Sequence, residues 1–205
     1  MKYRIIQIFF NDETRKQCYD NPNIEPFYNS EVTPYFENSV ICQVKALIPN
    51  YDYFGVWSWK HYQKVQGHKF TFPEMEKILP SVDVLAFQRF LRNGRIFSGD
   101  YEKTYEAIFN EVMIRLNLKY RFPGRAAFIV MQNHFICKSH IYSEYIEKIL
   151  EPAMAIIDTI PAANGYVEYR DNKMKIKQGY TYKPFLCEKL FSAFINERDY
   201  ICQQW

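Results

Sequence analysis

Gln132, Asn133 and His134 interrupt an otherwise apolar run between Ala126 and Leu150, and they are the first residues in this chain whose types suggest chemistry. Burying two amides and an imidazole is costly unless each finds a partner, so such a triplet is either paired inside the fold or open to a ligand. A second group, Trp57-Ser58-Trp59-Lys60-His61, closes an aromatic and β-branched stretch. If that stretch is a strand, Lys60 and His61 stand at its carboxyl end, where open α/β sheets place their ligands. A lysine and a protonatable histidine can neutralise a phosphate, and Trp57 and Trp59 can stack on a base or on the apolar face of a sugar. On residue types alone, a buried aromatic strand ending in solvated charges is the simpler account.

Other groupings carry less. His134, Cys137 and His140 are spaced by three, which on a strand puts neighbours on opposite faces and argues against a metal triad. Cys137 has no identifiable acid to orient a base beside it, and reads as a buried thiol. Glu74 with Glu76, and Asp100 with Glu102, stand at helix starts, where carboxylates complement the helix dipole, so they read as structural rather than as ligands of a divalent ion. Lys173, Lys175 and Lys177 alternate along one strand face, either solvated or in peripheral contact with anionic lipid headgroups. No glycine-rich phosphate loop of either usual spacing occurs, and there are only 7 Gly in all. That disfavours a P-loop enzyme or a dinucleotide-binding fold and leaves nucleoside diphosphate-sugars open as ligands.

The elements that must hold these residues alternate. Residues 3 to 10 predict a buried strand, followed by a long polar loop over 11 to 33. A helix opens at Pro34, with Phe36, Val40, Val44 and Leu47 as its apolar face. Strands are predicted over 51 to 59 and 82 to 87, with a helix over 72 to 79 between them. Asp100 is the expected N-cap of a helix over 101 to 118 that buries Tyr105, Ile108, Phe109, Val112 and Leu116. A strand over 126 to 137 feeds a helix capped by Ser139, which Pro152 should break near Leu150. A hairpin turns at Asp171-Asn172, and a last helix opens at Pro184 and buries Leu186, Leu190, Phe191 and Phe194. The expected fold is α/β, a three-layer α/β/α single domain spanning 1–205 around a central mixed sheet.

Composition narrows the classes further. With 205 residues, 48% of them hydrophobic, one sizeable core is affordable. A net charge of +3 without a clustered basic face argues against a nucleic-acid partner. Five scattered cysteines with no Cys-x-x-Cys pair predict reduced thiols and a cytoplasmic location. The first residues lack a signal-peptide cleavage site, and no stretch is long enough to span a bilayer.

Three segments, in order, resemble a family of bacterial glycosyltransferase-like proteins of capsular and other surface polysaccharides, formally a domain of unknown function. Pro34-Tyr35-Phe36-Glu37-Asn38-Ser39-Val40 with Tyr51-Asp52-Tyr53-Phe54-Gly55-Val56 resembles its Asn-Pro-Tyr-x-Glu helix and following strand. Met131-Gln132-Asn133-His134-Phe135-Ile136-Cys137-Lys138-Ser139 resembles its Asn-Met-Phe-Ile-Met-Lys-Lys strand-to-helix unit. Pro184-Phe185-Leu186-Cys187-Glu188-Lys189-Leu190 resembles its closing Gly-Phe-Leu-x-Glu-Arg-Leu helix. The chain departs from the pattern where Trp59-Lys60-His61-Tyr62-Gln63-Lys64 replaces His-Tyr-Arg-Arg-Tyr, and where Lys189 replaces an arginine.

The resemblance implies a GT-A-like fold and transfer of a sugar from a nucleoside diphosphate-sugar donor to a growing glycan acceptor. It places Glu188 on the family's closing helix as the candidate catalytic base; for such a reaction the residue types make Lys60 and His61 the candidates for the diphosphate, Trp57 and Trp59 for stacking, and Asn133 and His134 for sugar or acceptor hydroxyls. With no Asp-x-Asp pair, neither cofactor nor metal ligands are assigned, and a divalent ion such as Mn²⁺ or Mg²⁺ stays open. Two alternatives remain: a non-catalytic carbohydrate-binding or scaffolding protein of a polysaccharide assembly complex, and an unrelated cytosolic enzyme using Asn133 and His134.

Overall fold

The apolar run near the amino terminus forms β1 (Tyr3–Phe9), whose Ile5, Ile6 and Ile8 are fully buried. Burial on both faces marks a central strand of a covered sheet. The computed structural model describes residues 1–31, 33–61, 63, 71–87, 100–122, 128, 130, 133–171 and 174–205, with side chains left aside at 100–102, 167–171 and 174–179. Gln132 and Lys173 lie outside the described residues, as do the side chains of Asp100, Glu102, Lys175 and Lys177.

β1 is flanked by β2 (Ile24–Tyr28) and β3 (Tyr53–Ser58), both parallel to it. β5 (Phe135–Lys138) runs antiparallel between β3 and β4 (Val84–Ala86), and β8 (Cys202–Gln204) adds a parallel edge. The order β2-β1-β3-β5-β4-β8 is a mixed sheet of six strands, with β6 (Tyr166–Asp171) and β7 (Met174–Thr181) forming a separate antiparallel hairpin. Because strand side chains alternate, the sheet feeds two cores. Ile6, Ile8, Phe54, Val56, Ala86 and Phe135 meet one helical layer. That layer comprises α2 (Glu37–Gln43), α4 (Asp100–Arg115), α5 (Ser139–Tyr145), α6 (Glu151–Asp158) and α7 (Lys183–Ile195). Ile5, Trp57, Leu85 and Ile136 meet α3 (Phe72–Ile78) on the other side, so the three-layer α/β arrangement with a mixed sheet is realised.

Several expectations change. The loop foreseen over 11 to 33 contains a short helix, α1 (Asp12–Arg15), and the edge strand β2. Pro26 hid that strand in the sequence, since proline is tolerated in a sheet only at an edge or bulge, and β2 is an edge. The helix after Pro34 is shorter than its apolar spacing suggested, and gives way to a 3₁₀ segment (Lys45–Asn50) that leaves Leu47 exposed. The division expected near Leu150 takes the form of a π-helical turn (Ile146–Leu150) between α5 and α6, and Pro152 falls in the first turn of α6, where a proline is tolerated. Ser139 is the first helical residue rather than the cap, and Lys138 occupies the cap position.

Gly55 is where the sheet is tightest. The β3–β5 ladder is limited to Tyr53 with Lys138 and Phe54 with Cys137, and beyond it the Trp57 indole N–H donates to the Phe135 carbonyl at 2.9 Å. A Cβ on Gly55 would stand 2.9 Å from that carbonyl oxygen and 3.3 Å from Trp57 Nε1. Backbone cannot yield as a flexible side chain does, so Gly55→Ala is expected to cost about 1–3 kcal/mol through overpacking. A urea midpoint that falls while the slope is unchanged checks this, whereas an unmoved midpoint refutes it.

Candidate active site at the carboxyl edge of the sheet

The carboxyl ends of β1, β3 and β4 share one edge of the sheet with the start of β5, so residues distant in sequence meet there. On the α3 side lies an aromatic nest. His61 stacks on Trp57 with centroids 3.7 Å apart and planes 3° from parallel, and Phe87 meets both rings edge-on. His134 approaches His61 at 5.0 Å between centroids, and the Tyr19 hydroxyl shares a hydrogen bond with His61 Nδ1 at 3.1 Å. Gln7, fully buried on β1, holds the incoming segment by accepting from the Tyr19 N–H at 2.8 Å and donating to the Ser58 carbonyl at 3.4 Å.

On the opposite face Asn133 leads a polar chain. Its Nδ2 donates to Asn38 Oδ1 at 3.2 Å, and Asn38 Nδ2 donates to the Tyr35 carbonyl at 3.1 Å. The Tyr35 hydroxyl and the Lys183 ammonium both donate to Asp158 at 2.7 Å. Asn133 and His134 thus lie on opposite sides of the chain just before β5, Asn133 in a turn with φ 55° and His134 against the α3-side nest.

The expected site residues therefore divide. Trp59 and Lys60 keep solvent access beyond β3, the Lys60 ammonium lying over the Trp59 ring at 4.9 Å from its centroid. Trp57 and His61 are fully buried against one another, which replaces the solvent-facing stacking and diphosphate roles expected of them with an interior one. Burial has a plain cause: apolar strand residues that alternate toward the α3 layer carry the indole inward, and the imidazole follows as its packing partner. His134 joins this nest, whereas Cys137 enters the opposite core and His140 stands exposed at the far end of β5. Glu188 is partly buried on α7 on the side of Tyr105, whose hydroxyl is driven well above its usual range by burial and then by the Glu188 charge. Beside it, burial holds the Lys189 ammonium down to about 8, with Glu188 opposing. Gln7, Tyr19, Asn38 and Phe87 were not singled out from the sequence. Gln7 alone bore a signal, a polar residue within an apolar strand.

A groove of about 840 Å³ opens at the opposite edge and includes Asp52, Lys138, Ser139 and Glu144. Its charges pair locally, Lys138 with Asp83 at 2.7 Å and Lys148 with Glu144 at 3.3 Å, so the groove offers no concentrated charge of one sign. Among the described residues no group of three or more histidine, cysteine or acidic side chains is placed to hold a metal ion. None of their helices is long and apolar enough to cross a membrane.

No protein-family profile matches the chain, and no curated protein matches it by sequence. A solved structure does. The apo structure of the bifunctional glycosyltransferase WbbM superposes with a TM-score of 0.60 at 14% identity, covering 100% of this chain. The fold is glycosyltransferase-like, consistent with a GT-A-like arrangement. The chain corresponds to 44% of the length of that protein.

Three carboxylates tie this architecture to pH. Burial pushes Asp83, Asp158 and Glu144 up, but hydrogen bonds from Lys138, from Lys183 with Tyr35, and from Arg198 with Lys148 outweigh it and hold each below its usual value. A depressed carboxyl contributes stability that is fully present above its unfolded pKa, roughly 4, and is lost as pH falls through the lower folded value. Thermal midpoints should thus stay level from neutral pH to about 5 and drop below about 4, and Asp83→Asn should flatten part of that drop. An identical acid profile for wild type and Asp83→Asn would refute the assignment.

Proposed function

We propose that this chain is a glycosyltransferase module that moves a sugar from a nucleoside diphosphate-sugar to a surface-glycan acceptor. The observation carrying this reading is likeness in fold to a glycosyltransferase along the entire chain, with the exposed Lys60 over the half-buried Trp59 ring where the carboxyl edge opens. In this reading Lys60 neutralises the diphosphate as it leaves, and Trp59 offers a ring face to the donor. The acceptor hydroxyl attacks the anomeric carbon, the bond to the diphosphate breaks, and Glu188 takes the hydroxyl proton. His61 and His134 support the edge from beneath, and Asn133 fixes the turn into β5. A divalent ion on the diphosphate is not required by this scheme, since Lys60 supplies positive charge there.

A second reading, carbohydrate binding without turnover, is favoured by the burial of His61 against Trp57 and by lysine standing in place of the family's arginine at 189. Arginine's planar fork is not replaced by an ammonium where two parallel contacts to phosphate are needed.

Calorimetry with UDP and GDP separates the readings, because a transferase must bind a nucleoside diphosphate. Binding is expected to survive EDTA and to weaken in Lys60→Ala more at low than at high salt. Binding abolished by EDTA and restored by Mn²⁺ would overturn the metal-free scheme, and absence of nucleotide binding would favour the second reading. Glu188→Gln keeps shape and removes basicity, so it is expected to fold, bind nucleotide, and lose transfer by roughly 10²-fold or more. Full turnover in that variant would remove Glu188 from the chemistry.

A further inference from the structure

Phe36 stands at the cap position just before α2 at φ 49° and ψ −126°, angles that a residue with a Cβ rarely adopts. Helix initiation does not call for a phenylalanine here: the position makes no side-chain cap, and glycine would take these angles without strain. Nor does core packing, since the ring is only partly buried. It meets Tyr180 edge-to-face at 5.1 Å and 82°, and Tyr180 is itself 46% exposed.

The strained turn is held from several sides. The Phe36 N–H donates to the Thr33 carbonyl at 3.2 Å, and Ser39 Oγ donates to the Phe36 carbonyl at 2.7 Å while its hydroxyl also meets Thr33 Oγ1 at 2.5 Å. The neighbouring Tyr35 carbonyl accepts from Asn38, and Asn38 accepts from Asn133, which has φ 55°. Two of the three non-glycine residues with positive φ among the described residues are thus linked through one asparagine at the carboxyl edge of the sheet. Strain of this kind persists only where surroundings over-determine it, and it concentrates at ligand sites.

From this geometry we infer that Phe36 and Tyr180 form a stacking platform for a pyranose ring of the glycan acceptor, on the α2 side of the same edge. The inference rests on the transferase reading above and names where its acceptor lies. A pyranose presents a patch of C–H groups and a rim of hydroxyls, and two aromatic rings at right angles offer it both a ring face and a ring edge. The half-exposed Asp158 carboxylate, which accepts from the hydroxyl of Tyr35 next to Phe36 in the chain, supplies an acceptor for the hydroxyl rim.

The test uses saturation-transfer NMR from the full chain to methyl β-galactopyranoside, methyl β-glucopyranoside and methyl α-mannopyranoside, beside UDP and GDP titrations. Phe36→Gly and Tyr180→Ala are expected to weaken contact with at least one glycoside by roughly 5- to 10-fold. Tyr180→Phe, which keeps the ring, should retain it, and nucleotide affinity should be unchanged in all three. Because glycine fits the backbone, Phe36→Gly should melt above Phe36→Ala by about 2–4 °C or more. Glycoside contact that persists in both Phe36→Gly and Tyr180→Ala overturns the platform. So does a wild-type chain that binds UDP or GDP but none of the glycosides, an outcome that leaves the transferase reading standing. Glycoside contact at the platform without nucleotide binding would instead sink the transferase reading alone.

Discussion

The Trp57 indole N–H bond to the Phe135 carbonyl is the interaction on which the carboxyl edge depends. β3 and β5 run in opposite directions and part beyond a two-residue ladder, which would leave a buried carbonyl unsatisfied at the point of parting. The indole spans that gap. Its ring can lie there only because Gly55 has no side chain, and its outer face becomes the floor on which His61 stacks. Phe87 and His134 complete the nest, so the edge is held by an aromatic cluster rather than by further backbone pairing.

The other face of the same edge is organised by polar contacts. Asn133, Asn38, Tyr35, Asp158 and Lys183 form one connected chain reaching from the start of β5 to the first turn of α7. Buried polar groups of this kind are tolerated because each is satisfied, and a satisfied network fixes a unique arrangement of the helices around it. Lys183 is almost wholly buried, and its charge is offset by Asp158 and by the Tyr35 ring below it. Two different physical devices, stacking on one side and a hydrogen-bonded chain on the other, leave the edge itself for Trp59 and Lys60.

Much of the layer architecture was legible in the residues. Alternation fixed the faces of β1, β3 and β4, and the 3.6-residue stripe from Tyr105 to Val112 packs as its spacing requires. Asn133 and His134 were legible as unusual because polar residues in an apolar run need partners. The edge strands were not legible: β2 carries Pro26, and β8 is three residues long. Their apolar signal is too short or too interrupted to stand out, and pairing with a pre-existing sheet creates them.

By itself, then, the sequence determined that this chain builds an α/β sandwich, and it marked polar and aromatic residues that such a sandwich must either satisfy or present. Which of the two fates each residue meets was decided by tertiary structure. Trp57 and Trp59 have the same side chain two positions apart, yet the nearest strand beyond Gly55 takes the first inward while the second leaves the sheet. His61 is drawn into the interior by a stacking partner four residues earlier, and Asn133 finds its own partner 95 residues away in Asn38. Local propensity is blind to such distances, because the free energy that places these groups comes from contacts that exist only once the sheet has formed.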